Sequence, residues 1–327
     1  MEVPVAQDRD TLLVTGASGG LGQLVIANLI DVEGVDPHRI IAVTRSPERL
    51  ADLAARGVTV RQGDFDDPAG LESAFRGADR LLLISVGADP LESYLADQDP
   101  MGDPNRKRVL RQIAAVHAAA RAGVGHILYT SAPNPEPPTM CFWKRDHWRT
   151  EEAIRASGMD WSMLRMWEYP DFHLTYSWAQ SLGSGTFLCG SGAGRCSFIA
   201  REDCARAAAA ALAGKGQSGR IYDITGREAL TLDQVMGLLS QANGRPIRVD
   251  HVSPEELRRR LEQQGEEIGP VYAAFQEGIL HGKYDRESGD FQELTGKLPD
   301  TLAHFFEHNR VTDEQMQVKY RYADHPE

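Results

Sequence analysis

The chain has few cysteines, no excess of positive charge and no long apolar run. Its four cysteines, Cys141, Cys189, Cys196 and Cys204, form no C-x-x-C pair, so neither a disulfide framework nor a zinc ribbon is predicted. A net charge of −12 argues against nucleic acid and anionic membranes as partners, because both need a basic surface. No run approaches the roughly 18 apolar residues of a membrane span, and residues 1–10 lack the apolar core of a signal peptide. We therefore expect a cytoplasmic protein.

Apolar runs typical of buried strands alternate with helix-like stretches from residue 11 onward. Strands are predicted at residues 11–14, 40–44, 58–62, 80–85, 126–130, 160–164 and 221–224, and helices at 20–30, 47–56, 68–75, 106–122 and 202–213. This order predicts an α/β fold with a Rossmann-type doubly wound parallel sheet. We assign residues 1–165 plus 196–245 to the Rossmann domain, and 166–195 plus 246–327 to a smaller, mostly helical C-terminal substrate lobe. The glycine-rich stretch 183–194 is interpreted as a mobile flap.

A glycine-rich turn joins the first predicted strand to the first predicted helix. Gly16, Gly19 and Gly22 have a G-x-x-G-x-x-G spacing. The first glycine lets the chain turn sharply, the second lets a pyrophosphate approach the backbone, and the third lets the helix pack closely on the sheet. The phosphates then lie at the positive end of the helix. The same turn contributes Ser18, Gly20 and Leu21 to the predicted dinucleotide site.

Arg45 stands at the end of the second predicted strand. An NAD-preferring site usually has Asp or Glu there, which accepts a hydrogen bond from the ribose 2′-hydroxyl. A guanidinium is suited instead to a 2′-phosphate, and Arg49 follows one helical turn later. The sequence therefore predicts NADPH/NADP+ as the cofactor. The alternative is that Arg45 is a solvated residue at a helix start.

The ends of the next three predicted strands complete the predicted cofactor site. Asp64 can accept a hydrogen bond from the adenine amino group, and Phe65 can cover the ring. Asp66 or Asp67 is also expected to cap the helix that follows. Residues expected beside the ribose or nicotinamide are Ser85, Val86, Gly87 and Ser131.

Several stretches of the chain together resemble one known family. They are residues 15–22, Val43-Thr44-Arg45, residues 63–67, 122–127, 147–165 and 198–205, Tyr222-Asp223-Ile224-Thr225-Gly226 and residues 293–299. The chain is identified as a member of the NmrA-like atypical short-chain dehydrogenases, in the branch of quinone oxidoreductases and triphenylmethane reductases. The resemblance implies an NADP-binding Rossmann domain and a small substrate-binding lobe. It also implies either reductase activity or non-catalytic NADP(H) sensing.

Two features depart from that family pattern. The chain has no Tyr-x-x-x-Lys pair, so the usual proton donor of short-chain dehydrogenases is absent. Residues 87–104 form a longer and more acidic loop than the resemblance implies. This loop is interpreted either as a lid or interaction surface, or as a solvated insertion.

Hydride transfer needs a positioned proton donor for the reduced oxygen. His147 is the first candidate and also a candidate cofactor contact, because the resemblance to isoflavone-reductase-like enzymes places their lysine there. Histidine can donate a proton near neutral pH. Lys144 and Tyr169 are the other candidate donors. The alternative for His147 is a structural residue at the helix start, packed under the cofactor.

All five tryptophans lie between residues 143 and 178, interleaved with other aromatic residues. Aromatic side chains bury a large area and stack on flat conjugated molecules. Candidate substrate contacts are Trp143, Trp167, Tyr169, Phe172 and Tyr176. Trp161 lies inside a predicted strand and is assigned to the core. This distribution predicts a planar small-molecule substrate of aromatic, quinone-like or polyketide-like type.

The expected function is therefore NADPH-dependent reduction of a planar conjugated carbonyl compound, quinone or similar aromatic molecule. The alternative is a regulatory protein that senses NADP(H) and binds a protein partner. His304 and His308 lie one helical turn apart but lack the H-E-x-x-H order, so no metal is expected. A small molecule is expected as the partner, rather than nucleic acid or a membrane, and a homodimer is left open.

Overall fold

The computed structural model describes residues 9–87, 107–136, 142–263 and 269–317, without the side chains of residues 142 and 143. Its strands are β1 (Leu12–Val14), β2 (Ile40–Thr44), β3 (Thr59–Gln62), β4 (Arg80–Leu83), β5 (His126–Ser131), β6 (Asp160–Met166), β7 (Thr186–Cys189), β8 (Arg195–Ser197), β9 (Arg220–Ile224), β10 (Ala229–Thr231) and β11 (Arg248–His251). Seven of them form a parallel sheet in the order β3-β2-β1-β4-β5-β6-β9. The predicted Rossmann-type doubly wound sheet is confirmed.

Helices cover both faces of this sheet. They are α1 (Gly20–Asp31), α2 (Ala51–Ala55), α3 (Pro68–Phe75), α4 (Lys107–Arg121), α5 (Phe142–Ala156), α6 (Pro170–His173), α7 (Ala179–Ser184), α8 (Arg201–Ala210), α9 (Leu232–Asn243), α10 (Pro254–Gln263), α11 (Gly269–Leu280), α12 (Asp290–Thr295) and α13 (Leu302–His308). Helix α1 packs on α8 on one face, while α4 packs between α3 and α5 on the other. None of the helices among the described residues combines the length and the apolar character that crossing a membrane requires.

Alternate residues of each central strand enter two separate cores, as strand geometry dictates. In β1, Leu12 and Val14 join the core that contains Val25 and Ile26 of α1. Leu13 faces the opposite way and packs in the core beside α3 and α4. Because both faces are covered, inner strands such as β1 and β2 are buried along their whole length and read as continuous apolar runs in the sequence.

Two smaller sheets lie outside the central one. Strand β7 pairs with β11 in parallel, and β8 pairs with β10 in antiparallel fashion. Residues 186–189 of the predicted mobile flap therefore form a paired strand, and the mobility of the stretch stays a prediction. Glycine serves close packing here, since a Cβ on Gly194 would lie 2.2 Å from the carbonyl oxygen of Ile279. The division into two domains stays a prediction, and contacts of α12 with α8 and of α13 with α9 cross its boundary.

A buried polar network lies at the amino ends of the central strands. Arg80 Nε donates to Leu212 O at 2.9 Å, and its Nη1 lies 3.1 Å from His126 Nδ1. His126 Nε2 lies 2.8 Å from Ser162 Oγ, which donates to Gln217 O. A guanidinium can only donate, so His126 accepts at Nδ1 and carries its proton on Nε2. Arg80 and Ser162 thus donate hydrogen bonds to backbone carbonyls just beyond α8, and the neutral ring of His126 joins the two side chains.

Replacing His126 by asparagine is expected to make the free energy of unfolding less dependent on pH between pH 7 and pH 4. Burial, reinforced by Arg80, lowers the pKa of His126 to about 4, whereas an unfolded imidazole titrates near 6.5. As the pH falls, the unfolded chain therefore takes up the proton before the folded protein does. Between pH 7 and pH 4 this group lowers the free energy of unfolding by about 3 kcal/mol. Urea denaturation at both pH values measures the difference. His304→Asn, at an exposed site, should retain the full loss, and a retained loss in His126→Asn would contradict the assignment.

Candidate active site

The glycine-rich turn lies at the carboxyl end of β1 and leads into α1. Gly16 has a φ of +59°, and the N–H of Gly19 donates to its carbonyl oxygen at 3.0 Å. A Cβ on Gly22 would lie 2.3 Å from that same oxygen. Gly19 is the N-cap of α1 and provides no side-chain cap, so the first N–H groups of the helix remain open to an anion. The turn thus fits a dinucleotide pyrophosphate.

The turn is tied to the end of β2. Ser18 Oγ lies 2.7 Å from Thr44 Oγ1, which also accepts a hydrogen bond from the N–H of Ser46 at 3.1 Å. The N–H of Ala17 donates to Val43 O at 3.1 Å. These contacts set the shape of the turn. Gly20 and Leu21 form the first turn of α1.

Arg45 follows β2 directly and is exposed. Within the described residues its guanidinium has neither a hydrogen bond nor an ion pair, and the same holds for the exposed Arg49. Five donors in a fixed fork are thus available beside the turn. The position fits a 2′-phosphate ligand, and the predicted role stays a prediction.

The residues that follow β3 make different contacts. Asp67 caps α3 through the N–H of Gly70 at 3.1 Å, as expected. Asp66 pairs with Arg111, whose hydrogen bond lowers the pKa of that carboxyl to about 2. Asp64 is exposed and accepts a hydrogen bond from the Asp66 N–H at 3.0 Å, beside an open depression of about 670 Å³. Phe65 is half-buried and packs against the core beside α3 and α4. Asp64, Asp66 and Asp67 are all exposed, and Asp64 is the one of the three that neither caps α3 nor pairs with Arg111.

The candidate residues after β4 and β5 lie side by side. The N–H of Ser85 donates to Thr130 Oγ1 at 2.8 Å, and Val86 O accepts from Arg108 Nε at 2.7 Å. Ser131 Oγ donates to the buried carboxylate of Glu151 at 2.6 Å. Gly87 is the last described residue before the acidic loop, most of which lies outside the described residues. These strand ends form the sheet edge at which open α/β folds bind ligands.

His147 is buried beneath this edge, with 7% of its surface exposed. Its Nδ1 lies 2.8 Å from Tyr129 Oη, and its Nε2 lies 3.1 Å from Arg108 Nη2. Since the guanidinium can only donate, Nε2 accepts and Nδ1 carries the proton. Burial, with Arg108 and Lys144 nearby, holds the pKa of His147 well below its usual value. The neutral ring has both nitrogens engaged, so the geometry favours a role in positioning Arg108 over the predicted proton donation, which stays untested.

Lys144 occupies the first turn of α5, three residues before His147. The residue is 3% exposed, and its Nζ lies 4.1 Å from the centre of the Tyr284 ring. Among the described residues its ammonium has no hydrogen bond and no ion pair. A ring face stabilises a cation but leaves its N–H donors unused, and burying an unpaired charge is costly. Lys144 is therefore suited to an anionic oxygen that arrives with the substrate.

Tyr169 follows β6 and is less available as an acid. Its hydroxyl donates to Met166 Sδ at 3.0 Å, and burial raises its pKa well above the usual value. One face of its ring carries the guanidinium of Arg201, whose Cζ lies 5.8 Å from the ring centre. In the sequence, Arg201 belongs to the stretch 198–205 that contributes to the family resemblance, and no role is predicted for it.

The predicted substrate aromatics separate into buried and exposed groups. Trp167 is buried, with its Nε1 donating to Asp223 Oδ1 at 3.3 Å, and Tyr176 is buried as well. Phe172 is 37% exposed and stacks on Tyr176 at 6.0 Å. The side chain of Trp143 lies outside the described residues. Among the described members of this set, Phe172 is thus the one best placed to meet a molecule from solvent.

Comparison with known proteins identifies the family to which this chain belongs. The sequence model of a family described as NAD(P)H-binding matches residues 16–215. Quinone oxidoreductase 2 of Escherichia coli is 30% identical over 91% of this chain and 98% of its own length. A (4-alkanoyl-5-oxo-2,5-dihydrofuran-3-yl)methyl phosphate reductase of Streptomyces griseus is 33% identical over 88% of this chain and 93% of its own.

Solved structures show the same likeness. An NADPH complex of a quinone oxidoreductase from Escherichia coli has a TM-score of 0.80 at 29% identity, covering 91% of this chain and 99% of that one. The NADP(H) complex of Citrobacter triphenylmethane reductase has a TM-score of 0.76 at 30% identity, covering 92% and 100%. The likeness thus spans the substrate side as well as the glycine-rich turn.

Proposed function

Because this chain belongs to the NAD(P)H-binding family, in its NmrA-like atypical short-chain dehydrogenase branch, we propose that it reduces planar conjugated carbonyl compounds with NADPH, quinones first of all. It is an NAD(P)H-dependent oxidoreductase. Its relatives are named for a quinone, a triphenylmethane and a 5-oxo-2,5-dihydrofuran. The quinone and the 5-oxo-2,5-dihydrofuran are both conjugated carbonyl compounds, which supports this substrate class.

The observation that carries the proposal is the buried ammonium of Lys144, which has no hydrogen bond and no ion pair within the described part of the chain. NADPH supplies the hydride when it is bound. Hydride addition to a conjugated carbonyl places negative charge on the acceptor oxygen, and a proton must then reach that oxygen. Lys144 can donate a hydrogen bond to the developing oxyanion and then the proton itself, and solvent reprotonates the amine. This order places the charge stabilisation where the reaction creates charge.

Other residues of the chain bind and position. The turn from Gly16 to Gly22 holds the pyrophosphate, and Arg45 holds the 2′-phosphate. His147 holds Arg108, which in turn fixes the carbonyl of Val86 beside the expected nicotinamide position. Holding the reacting groups in place in this way lowers the barrier to hydride transfer.

The test measures the oxidation of NADPH in the presence of a panel of acceptors. The loss of absorbance of the reduced nicotinamide gives the rate. Quinones and aromatic enones should be reduced, whereas saturated ketones of similar size should not. NADP+ binding is measured in parallel by calorimetry. Tight binding without turnover across the whole panel would contradict the proposal and would favour a sensor that binds NADP(H) without reducing anything.

Replacing Arg45 by alanine should weaken NADPH binding roughly tenfold while leaving NADH binding unchanged. A charge-assisted contact to the 2′-phosphate is lost, and NADH has no such phosphate. Fluorescence titration with both cofactors measures the two dissociation constants. Arg76→Ala removes the same charge from an exposed position at the end of α3 and should change neither constant. Equal losses for NADPH and NADH would show that Arg45 does not contact the 2′-phosphate.

A further inference from the structure

Arg201 lies against the glycine-rich turn at the start of α1. It is the first residue of α8, which packs along α1. Its Nη1 lies 3.1 Å from the position that a Cβ on Gly20 would occupy. The residue is half-buried, and within the described part of the chain its guanidinium forms neither a hydrogen bond nor an ion pair. A fork of donors therefore lies at the start of α1 without an acceptor.

The electrostatics of this arrangement call for an anion. Arg201 occupies the first helical position of α8, where the helix dipole disfavours a positive charge. Its guanidinium also lies at the start of α1, whose first N–H groups have no side-chain cap. Two helix N-termini and one guanidinium thus bring positive charge to one place. An anion bound between them would turn this repulsion into attraction.

A carboxylate is available nearby, yet the guanidinium does not pair with it. Asp171 lies beside the start of α8, and its buried Oδ2 has no hydrogen-bond partner among the described residues. Burial raises the pKa of Asp171, and the charge of Arg201 offsets this only in part. The guanidinium lies instead over the ring of Tyr169, at 5.8 Å from the ring centre. The ring therefore supports the guanidinium from behind while its donors remain free at the turn.

We propose that Arg201 binds the pyrophosphate of the dinucleotide and holds it against the first turn of α1, with Tyr169 as the platform that orients the guanidinium. The role differs from that of Arg45, which lies at the 2′-phosphate end. It also links the cofactor site to the segment after β6. The proposal concerns the cofactor, so it can fail without affecting the acceptor class proposed above, and the reverse also holds.

The decisive experiment compares ligands that differ in the pyrophosphate. Calorimetry measures the binding of NADP+, 2′-phospho-ADP-ribose and 2′-AMP to Arg201→Met and to Arg45→Met. Arg201→Met should weaken the two pyrophosphate ligands roughly tenfold to thirtyfold and leave 2′-AMP unchanged. Arg45→Met should weaken all three ligands, because each contains the 2′-phosphate.

Three results would overturn the proposal. Unchanged NADP+ affinity in Arg201→Met, with a raised KM for anionic acceptors alone, would place the contact on the substrate. An equal loss for 2′-AMP would show that the variant disturbs the whole site. A loss of the same size in Arg206→Met, whose guanidinium pairs with Asp203 on the same helix, would show an effect of α8 rather than of Arg201.

The platform role of Tyr169 has its own test. Tyr169→Phe keeps the ring face and should bind NADP+ as the parent protein does. Tyr169→Leu removes the ring and should weaken NADP+ binding several-fold, with no further loss when it is combined with Arg201→Met. Additive losses in the double variant would refute the coupling between the two residues. Melting temperatures recorded without ligand separate this effect from a loss of folding.

Discussion

Replacing Lys144 by methionine should lower kcat with a quinone about a hundredfold to ten-thousandfold while NADP+ binds as before. Methionine keeps the length and the apolar stem of the side chain but removes the ammonium. The ammonium is buried, and among the described residues its one cation–π contact is with the face of the Tyr284 ring. Removing it leaves the developing oxyanion without its charge partner and without a nearby proton. Steady-state kinetics with a saturating quinone, together with calorimetry of NADP+, measures both quantities.

Lys283→Met is the matched control for this prediction. Lys283 is exposed and lies next to Tyr284 in the chain, so the variant makes the same chemical change outside the site. Its kcat should equal that of the parent protein. If Lys144→Met keeps the kcat of the parent protein, Lys144 does not deliver the proton, and water becomes the next candidate source.

Replacing Gly22 by alanine should weaken NADP+ binding roughly a hundredfold, since strain from overpacking reaches about 3 kcal/mol. The added Cβ would lie 2.3 Å from Gly16 O and 2.8 Å from Ala17 Cα, both of them backbone atoms. Backbone cannot rotate away as a flexible side chain can, so the turn must move and its N–H groups must leave the phosphate position. Calorimetry measures the affinity, and circular dichroism checks that the sheet and helices persist.

Gly237→Ala provides the control on a comparable helix. Gly237 lies on the exposed face of α9, and a Cβ there meets nothing within 4 Å. That variant should keep full NADP+ affinity and should be slightly more stable, because alanine favours the helix. If Gly22→Ala binds NADP+ normally, the close approach of α1 to the turn is not what shapes the phosphate site.

The central sheet was predictable because its inner strands, such as β1 and β2, are apolar on both faces and short connections separate strands from helices. β2 runs from Ile40 to Thr44, where the sequence predicts it, and the predicted start of β6 is confirmed as well. The glycine turn was predictable for a local reason, since all of its glycines lie within seven residues of one another. Signals of this kind are contained in a short window of sequence.

Features that depend on distant partners were not predictable in the same way. β7 pairs with β11 some sixty residues further along, and nothing in the glycine-rich window of residues 183–194 indicates that partner. The two neighbours that engage both nitrogens of His147, Tyr129 and Arg108, come from β5 and α4. The sequence therefore predicts a proton donor at a residue whose two ring nitrogens both have partners in the structure, and that role stays a prediction. For Arg201 a signal existed, because an arginine at the first position of a helix opposes the helix dipole.

The two ends of the central strands offer independent targets to a protein engineer. The network of Arg80, His126 and Ser162 lies at the amino ends, whereas Ser131 ends β5 at the cofactor edge. Five residues of extended chain place roughly 17 Å between His126 and Ser131, and the described residues show no hydrogen-bond partner common to both ends. At such separations the effects of substitutions add. Variants selected at one edge for thermal tolerance can therefore be merged with variants selected at the other for new acceptors, without screening every combination.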